Sequence, residues 1–211
     1  MKRIKQNIDR LRSEIPAEIK IMAVTKGQPL EAIITAIDNG IDLIGENRIQ
    51  EAREKFPQLP KHIKKHLIGH LQKNKAKDAV ALFDLIESVD SEKLAHEIDK
   101  QARKIGKKMQ IYIQVNISRE HQKSGILEEN LDNLIKVINT LPNLELKGFM
   151  AIAEDTPDEK KLEKQFASMH RLKNKYNLPE LSIGMSQDYK EAIKHGSTEV
   201  RLGSVIFASL L

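Results

Sequence analysis

Two hydrophobic spacings alternate along this chain. Short runs of apolar, largely β-branched residues recur, and between them apolar residues return every third or fourth position. Ile4, Ile8, Leu11 and Ile15 predict a helix over residues 1–15, stopped by Pro16. Ile19, Ile21, Met22, Ala23 and Val24 make a near-continuous run that suits a strand buried on both faces, ending in Thr25 and Lys26 before the breakers Gly27 and Pro29. A helix over Leu30–Asn39 follows, with Gly40 suited to its cap. The same alternation then predicts strands at 41–45, 66–68, 83–89, 109–118, 145–151, 181–183 and 199–202, with helical patterns between them. The fifth has the clearest alternation, in Ile111, Ile113, Val115 and Ile117. Asp90 and Ser91 suit the N-cap of a helix over 92–105. Eight strands alternating with helices predict an α/β fold: a single (β/α)8 TIM barrel over residues 1–211, with an extra N-terminal helix. An open doubly wound sheet is the alternative.

The residues with chemistry fall just after the strands, and in a barrel these positions share one face. Period-two alternation puts Met22, Val24 and Lys26 on one side of the first strand. A lysine desolvated at the barrel mouth would have a lowered pKa and could form a Schiff base with a carbonyl. The plainer reading is a lysine snorkelling into solvent. Gly184-Met185-Ser186 and Gly203-Ser204 follow the last two strands, where barrels often bind phosphate through backbone N–H groups; Gly-Ser pairs are also ordinary turns. A lysine opposite two such loops is the layout pyridoxal phosphate requires. Arg201 shares the inward parity of Gly203; its partner is a pyridine nitrogen or a barrel carboxylate such as Glu199 or Glu46.

Composition narrows the classes. The chain has no cysteine, which excludes disulfides, a thiolate nucleophile and a Cys-based metal site. No apolar stretch is long enough for a transmembrane helix and the N-terminus does not read as a signal peptide, so a soluble cytoplasmic protein is expected. The net charge of +5 comes from 35 basic and 30 acidic residues interleaved as on solvated helix faces, and aromatics are 4%, too few for nucleic-acid stacking platforms. His62, His66 and His70 would align as metal ligands on one helix, but Leu67-Ile68-Gly69 read as strand and turn, so no metal site is expected.

The segments AVTK (23–26), GENRIQE (45–51), HLIGHLQKNK (66–75), NISREHQKSG (116–125), GFMAIA (148–153) and the stretch from Leu181 to Phe207 resemble, in the same order, the YggS/PROSC family of pyridoxal phosphate homeostasis proteins. That family is similar to the N-terminal barrel of alanine racemase, the fold-type III arrangement. The resemblance implies that Lys26 carries pyridoxal 5'-phosphate as a covalent Schiff base, that Ser186, Gly203 and Ser204 hold its phosphate, and that Arg201 faces the pyridine nitrogen. It implies that Asn47 and Met150 line the pocket and that Lys123 stands near the entrance. One departure is Ala208, where the family has a glycine before a short tail.

The expected function is intracellular pyridoxal phosphate homeostasis. The protein would hold the cofactor and release or transfer it, possible recipients being pyridoxal phosphate-dependent apoenzymes, with no efficient catalysis of its own. An arginine beside the ring nitrogen weakens the cofactor as an electron sink. Racemisation also needs a base on each face of the amino acid, and none of Tyr112, Tyr176 and Tyr189 matches the second base of alanine racemase. An amino-acid racemase or lyase using the same lysine is the alternative. A monomer or weak dimer is expected, with no membrane or nucleic-acid partner.

Overall fold

The eight runs form parallel strands that close into a barrel in chain order, with β8 hydrogen-bonded back to β1. This is a computed structural model, and it describes residues 2–120 and 122–207; Ala208, the departure noted in the sequence, lies outside them. The strands are β1 Lys20–Val24, β2 Leu43–Glu46, β3 Lys64–Leu67, β4 Leu85–Val89, β5 Met109–Val115, β6 Leu144–Ala151, β7 Glu180–Met185 and β8 Glu199–Leu202. The helices are α1 Lys2–Glu14, α2 Leu30–Asp38, α3 Ile49–Lys55, α4 Ala76–Leu82, α5 Glu92–Lys104, α6 Leu131–Asn139, α7 Glu159–Lys175, α8 Tyr189–Lys194 and the single turn α9 Ser204–Phe207.

Each strand divides its residues between two environments. Ala23, Ile44, Leu67, Ile86, Ile111 and Val200 face outward and join the main core beneath the helices. The intervening residues fill the barrel, where Met22, Leu43 and Ile68 form one small apolar cluster and Leu85, Tyr112 and Met150 another. The extra helix α1 buries Ile4, Ile8 and Leu11, and its Asn7 side chain donates to the Ile206 carbonyl at 3.0 Å, which ties the first helix to the last.

Element ends move from the sequence expectation where tertiary hydrogen bonds decide them. β5 stops at Val115 rather than Ser118, because the Asn116 N–H turns to the Ile126 carbonyl at 2.9 Å. β7 runs on through Gly184 and Met185, and Met185 pairs with Arg201 across a register shift; glycine at φ +94° permits that irregularity. β1 stops at Val24; the Thr25 N–H still donates to the Gly45 carbonyl of β2 at 2.9 Å, and Lys26 lies beyond the ladder.

Candidate functional site

Lys26 sits in the turn after β1, at the C-terminal mouth of the barrel, and is exposed, as the plainer of the two sequence readings has it, and not desolvated. The ladder has ended, and Gly27 at φ +68°, a left-handed conformation that suits glycine, carries the chain outward. The Lys26 amine has no hydrogen bond or ion pair among the described residues. Its two neighbours, by contrast, are pinned. Thr25 is fully buried and its hydroxyl donates to Glu46 Oε2 at 2.9 Å. The Gly27 N–H donates to Glu51 Oε2 at 2.8 Å. Lys55 closes the brace, donating to the Thr25 carbonyl at 3.0 Å and to Glu51 Oε2 at 2.6 Å. Glu46 is buried on the outward side of β2, and its other oxygen accepts the Asn47 N–H at 2.8 Å. The expected pairing of Glu46 with Arg201 therefore fails on geometry.

The last two strands bring the small-residue loops together. Ser186 follows β7, and its hydroxyl lies 3.5 Å from the N–H of Val205 in α9, so the β7 and β8 loops share a contact. Gly203 precedes α9, and a Cβ there would only touch Val24 of β1. An anion here would be met by the individual N–H and O–H donors of the first turn of α9. Arg201 is buried at 4% exposure and points into the barrel. It donates to the Ser182 carbonyl, the Ser182 hydroxyl and the Ala151 carbonyl, each at 2.7 Å. Neither Glu199 nor Glu46 forms an ion pair with it; the guanidinium is held by neutral oxygens of β6 and β7.

β6, β7, β8, β1 and β2 are consecutive around the closed sheet, so Met150, Ser186, Gly203-Ser204, Lys26 and Asn47 occupy one arc. Met150 is buried among the interior apolar residues. Asn47 Oδ1 is buried without a hydrogen-bond partner among the described residues. Gly69 lies so close to Asn47 that a Cβ would collide with its backbone carbonyl, which explains the glycine after β3. A cavity of about 230 Å³ opens here, lined by Asn47, Gly69, Gln114 and Lys123. Lys123 is paired with Glu120 and donates to the Ala153 carbonyl at 3.2 Å. Lys26, Ser186 and Arg201 do not line this cavity. The three tyrosines lie elsewhere: Tyr112 is inside the barrel, Tyr176 donates to Asp132 at 2.7 Å, and Tyr189 donates to Glu14 at 2.8 Å.

The sequence reading missed the brace of Glu46, Glu51 and Lys55, and a second polar group inside the barrel. Glu87 and Glu199 are fully buried and His66 nearly so. Burial raises the Glu87 carboxyl, and the Glu199 charge beside it adds to the rise. Burial opposes charge on His66, but Glu199 and Glu87 outweigh it and raise the imidazole above its ordinary value. A charged residue at an inward position of an apolar strand, as in Leu85-Ile86-Glu87, was the available signal.

The family model for the alanine racemase N-terminal domain matches residues 1–210. The pyridoxal phosphate homeostasis protein of Vibrio alginolyticus is 35% identical, over 99% of this chain and 98% of its own length. That of Schizosaccharomyces pombe is 34% identical, over 99% and 94%. Among solved structures, PipY of Synechococcus elongatus superposes with a TM-score of 0.92 without PLP and 0.89 with PLP bound. It is 33% identical, and the match covers 97% of this chain and all of PipY. An alanine racemase of Clostridium difficile superposes at a TM-score of 0.83 and 15% identity, matched over 57% of its length, which is a likeness of fold. Among the described residues no helix is long and apolar enough to cross a membrane.

Proposed function

The chain belongs to the YggS/PROSC family of pyridoxal phosphate homeostasis proteins, and on that premise we propose that it binds pyridoxal 5'-phosphate at the C-terminal mouth of the barrel, holds it covalently on Lys26 as a Schiff base, and releases it to apoenzymes rather than turning over a substrate. The observation that carries this reading is the Lys26 amine, free of any partner among the described residues while Thr25 and Gly27 are fixed on either side. A primary amine that must attack an aldehyde gains from a fixed backbone and an uncommitted nitrogen.

The surrounding groups fit the cofactor's chemistry. Ser186 supplies a hydroxyl, and the first turn of α9 supplies N–H groups beside it, a donor set suited to phosphate. The orphaned Asn47 Oδ1 offers an acceptor at the opposite edge of the arc. When bound, the cofactor would supply an electrophilic aldehyde and a ring able to draw electrons from an attached amino acid. Arg201 limits that second property. A permanent cation beside the ring nitrogen disfavours its protonation, because like charges repel in a partly dry site. The three hydrogen bonds that fix Arg201 keep it in place. The relatives' names describe homeostasis rather than catalysis, which supports the carrier reading.

The phosphate should dominate affinity. In a spectroscopic titration, pyridoxal without phosphate is expected to bind at least about tenfold more weakly than pyridoxal 5'-phosphate, the loss of one to two charge-assisted hydrogen bonds. Ser186→Ala should narrow that gap. Equal affinities for the two compounds would remove the phosphate loops from the account.

A further inference from the structure

The polar group inside the barrel shares no residue with the proposed cofactor site, although the Arg201 charge reaches Glu87. His66 comes from β3, Glu87 from β4 and Glu199 from β8, so the three converge across the barrel axis rather than along one wall. One ligand-type atom from each lies within 4.8 Å of the others. His66 Nδ1 is 2.8 Å from Glu87 Oε1 and 3.7 Å from Glu199 Oε1. Both carboxylates are 0% exposed. Three of their oxygens, Glu87 Oε2 and both of Glu199, have no hydrogen-bond partner among the described residues.

Without an ion, the raised His66 imidazole answers part of the carboxylate charge, but its Nδ1 is within hydrogen-bond reach of Glu87 Oε1 alone, and three buried oxygens keep no donor among the described residues. A single proton shared between the two groups bridges two oxygens and leaves the third orphaned. A cation at the centre of the three side chains reaches both carboxylates and the imidazole together. One imidazole nitrogen and two carboxylates form a common donor set for zinc and related divalent ions. With a neutral imidazole, the two carboxylate charges match the charge of such an ion.

We propose that His66, Glu87 and Glu199 bind a divalent first-row transition-metal cation, zinc foremost, inside the barrel. The ion would join β3, β4 and β8 across the axis as a structural staple. Of the three side chains, His66 lines a cavity. A cavity of about 640 Å³ opens at the N-terminal mouth, and His66 and Tyr112 are among its lining residues. Its rim carries Lys20, Lys64, Lys108 and Lys147, but also Asp42, Asp84 and Glu180, and Lys20 is paired with Glu180 at 2.5 Å. The mouth is therefore of mixed sign and does not exclude a cation.

The test strips the full-length protein with a chelator and titrates it with Zn²⁺ against a chromophoric chelator. Wild type is expected to take up one tightly bound equivalent and to melt at a higher temperature with Zn²⁺ present. Glu199→Gln and Glu87→Gln are each expected to weaken uptake at least tenfold and to abolish the melting shift. A second measurement needs no variant: anomalous scattering at the zinc edge from wild-type crystals soaked in Zn²⁺ should give a peak between the three side chains. No uptake, uptake unchanged in either variant, or a peak elsewhere, for example at exposed His62, would overturn the proposal. Cofactor titration of the same protein is read separately, so failure here leaves the Lys26 reading to its own test.

Discussion

Lys26 is exposed, yet the residues on both sides of it are not free to move. Thr25 and Gly27 are tied to Glu46 and Glu51, and Lys55 bridges the two carboxylates. Replacing Lys26 should cost little stability, within about 0.5 kcal/mol, because an exposed side chain without partners contributes little. Glu46→Ala should behave oppositely. It removes a fully buried acceptor, leaving the Asn47 N–H unmet and the Thr25 hydroxyl only its longer bond to the Gly45 carbonyl at 3.2 Å, for a loss of about 1–3 kcal/mol in urea unfolding. The same variant should slow covalent uptake of pyridoxal 5'-phosphate, since the Lys26 turn is no longer fixed. A Glu46→Ala protein as stable as wild type would show that the brace does not hold the turn.

At the scale of elements, the brace couples the β1–α2 turn to α3 through Glu51. Its Lys55 partner first, and then the Gly27 N–H, hold the Glu51 carboxyl below the usual glutamate range. A group whose folded pKa is lowered stabilises the fold above its unfolded value, and that contribution is lost as pH falls through the folded one. The Gly27 amide resonance should therefore shift at the acid end of an NMR titration, below the ordinary glutamate pKa. The shift should disappear in Glu51→Gln; a Gly27 resonance that titrates identically in the variant would place the sensitivity elsewhere. This coupling was not legible in the sequence, because Thr25, Glu46, Glu51 and Lys55 meet only once β1, β2 and α3 are packed. The strands themselves were legible. Buried parallel strands such as Ile19–Val24 read as continuous apolar runs, and their count dictates the barrel. Their ends were less so: nothing in Asn116-Ile117-Ser118 announces that the Asn116 N–H will leave the ladder for Ile126. The arc at the mouth could be read from parity and loop composition, whereas the exposure of Lys26 and the partners of Arg201 required the folded backbone.

For the whole molecule, the arrangement predicts cofactor held and exchanged rather than consumed in turnover. Arg201 sits among carbonyls of β6 and β7, with no ion pair among the described residues. Incubating the loaded protein with L- and D-alanine in deuterated water should give α-proton exchange far slower than ordinary enzyme turnover, which is about 1 per second or faster. Multiple-turnover racemisation at such a rate would favour a racemase working at the same lysine.

The central claim is that the Lys26 amine is the point of attachment. The most direct measurement loads wild-type protein with pyridoxal 5'-phosphate, reduces it with borohydride, digests it and maps the modified peptide by mass spectrometry. The predicted result is a single phosphopyridoxyl adduct on Lys26, absent from Lys26→Ala although that variant folds. A stable adduct on Lys123, Lys55 or another lysine in place of Lys26, or none at all, would contradict the account.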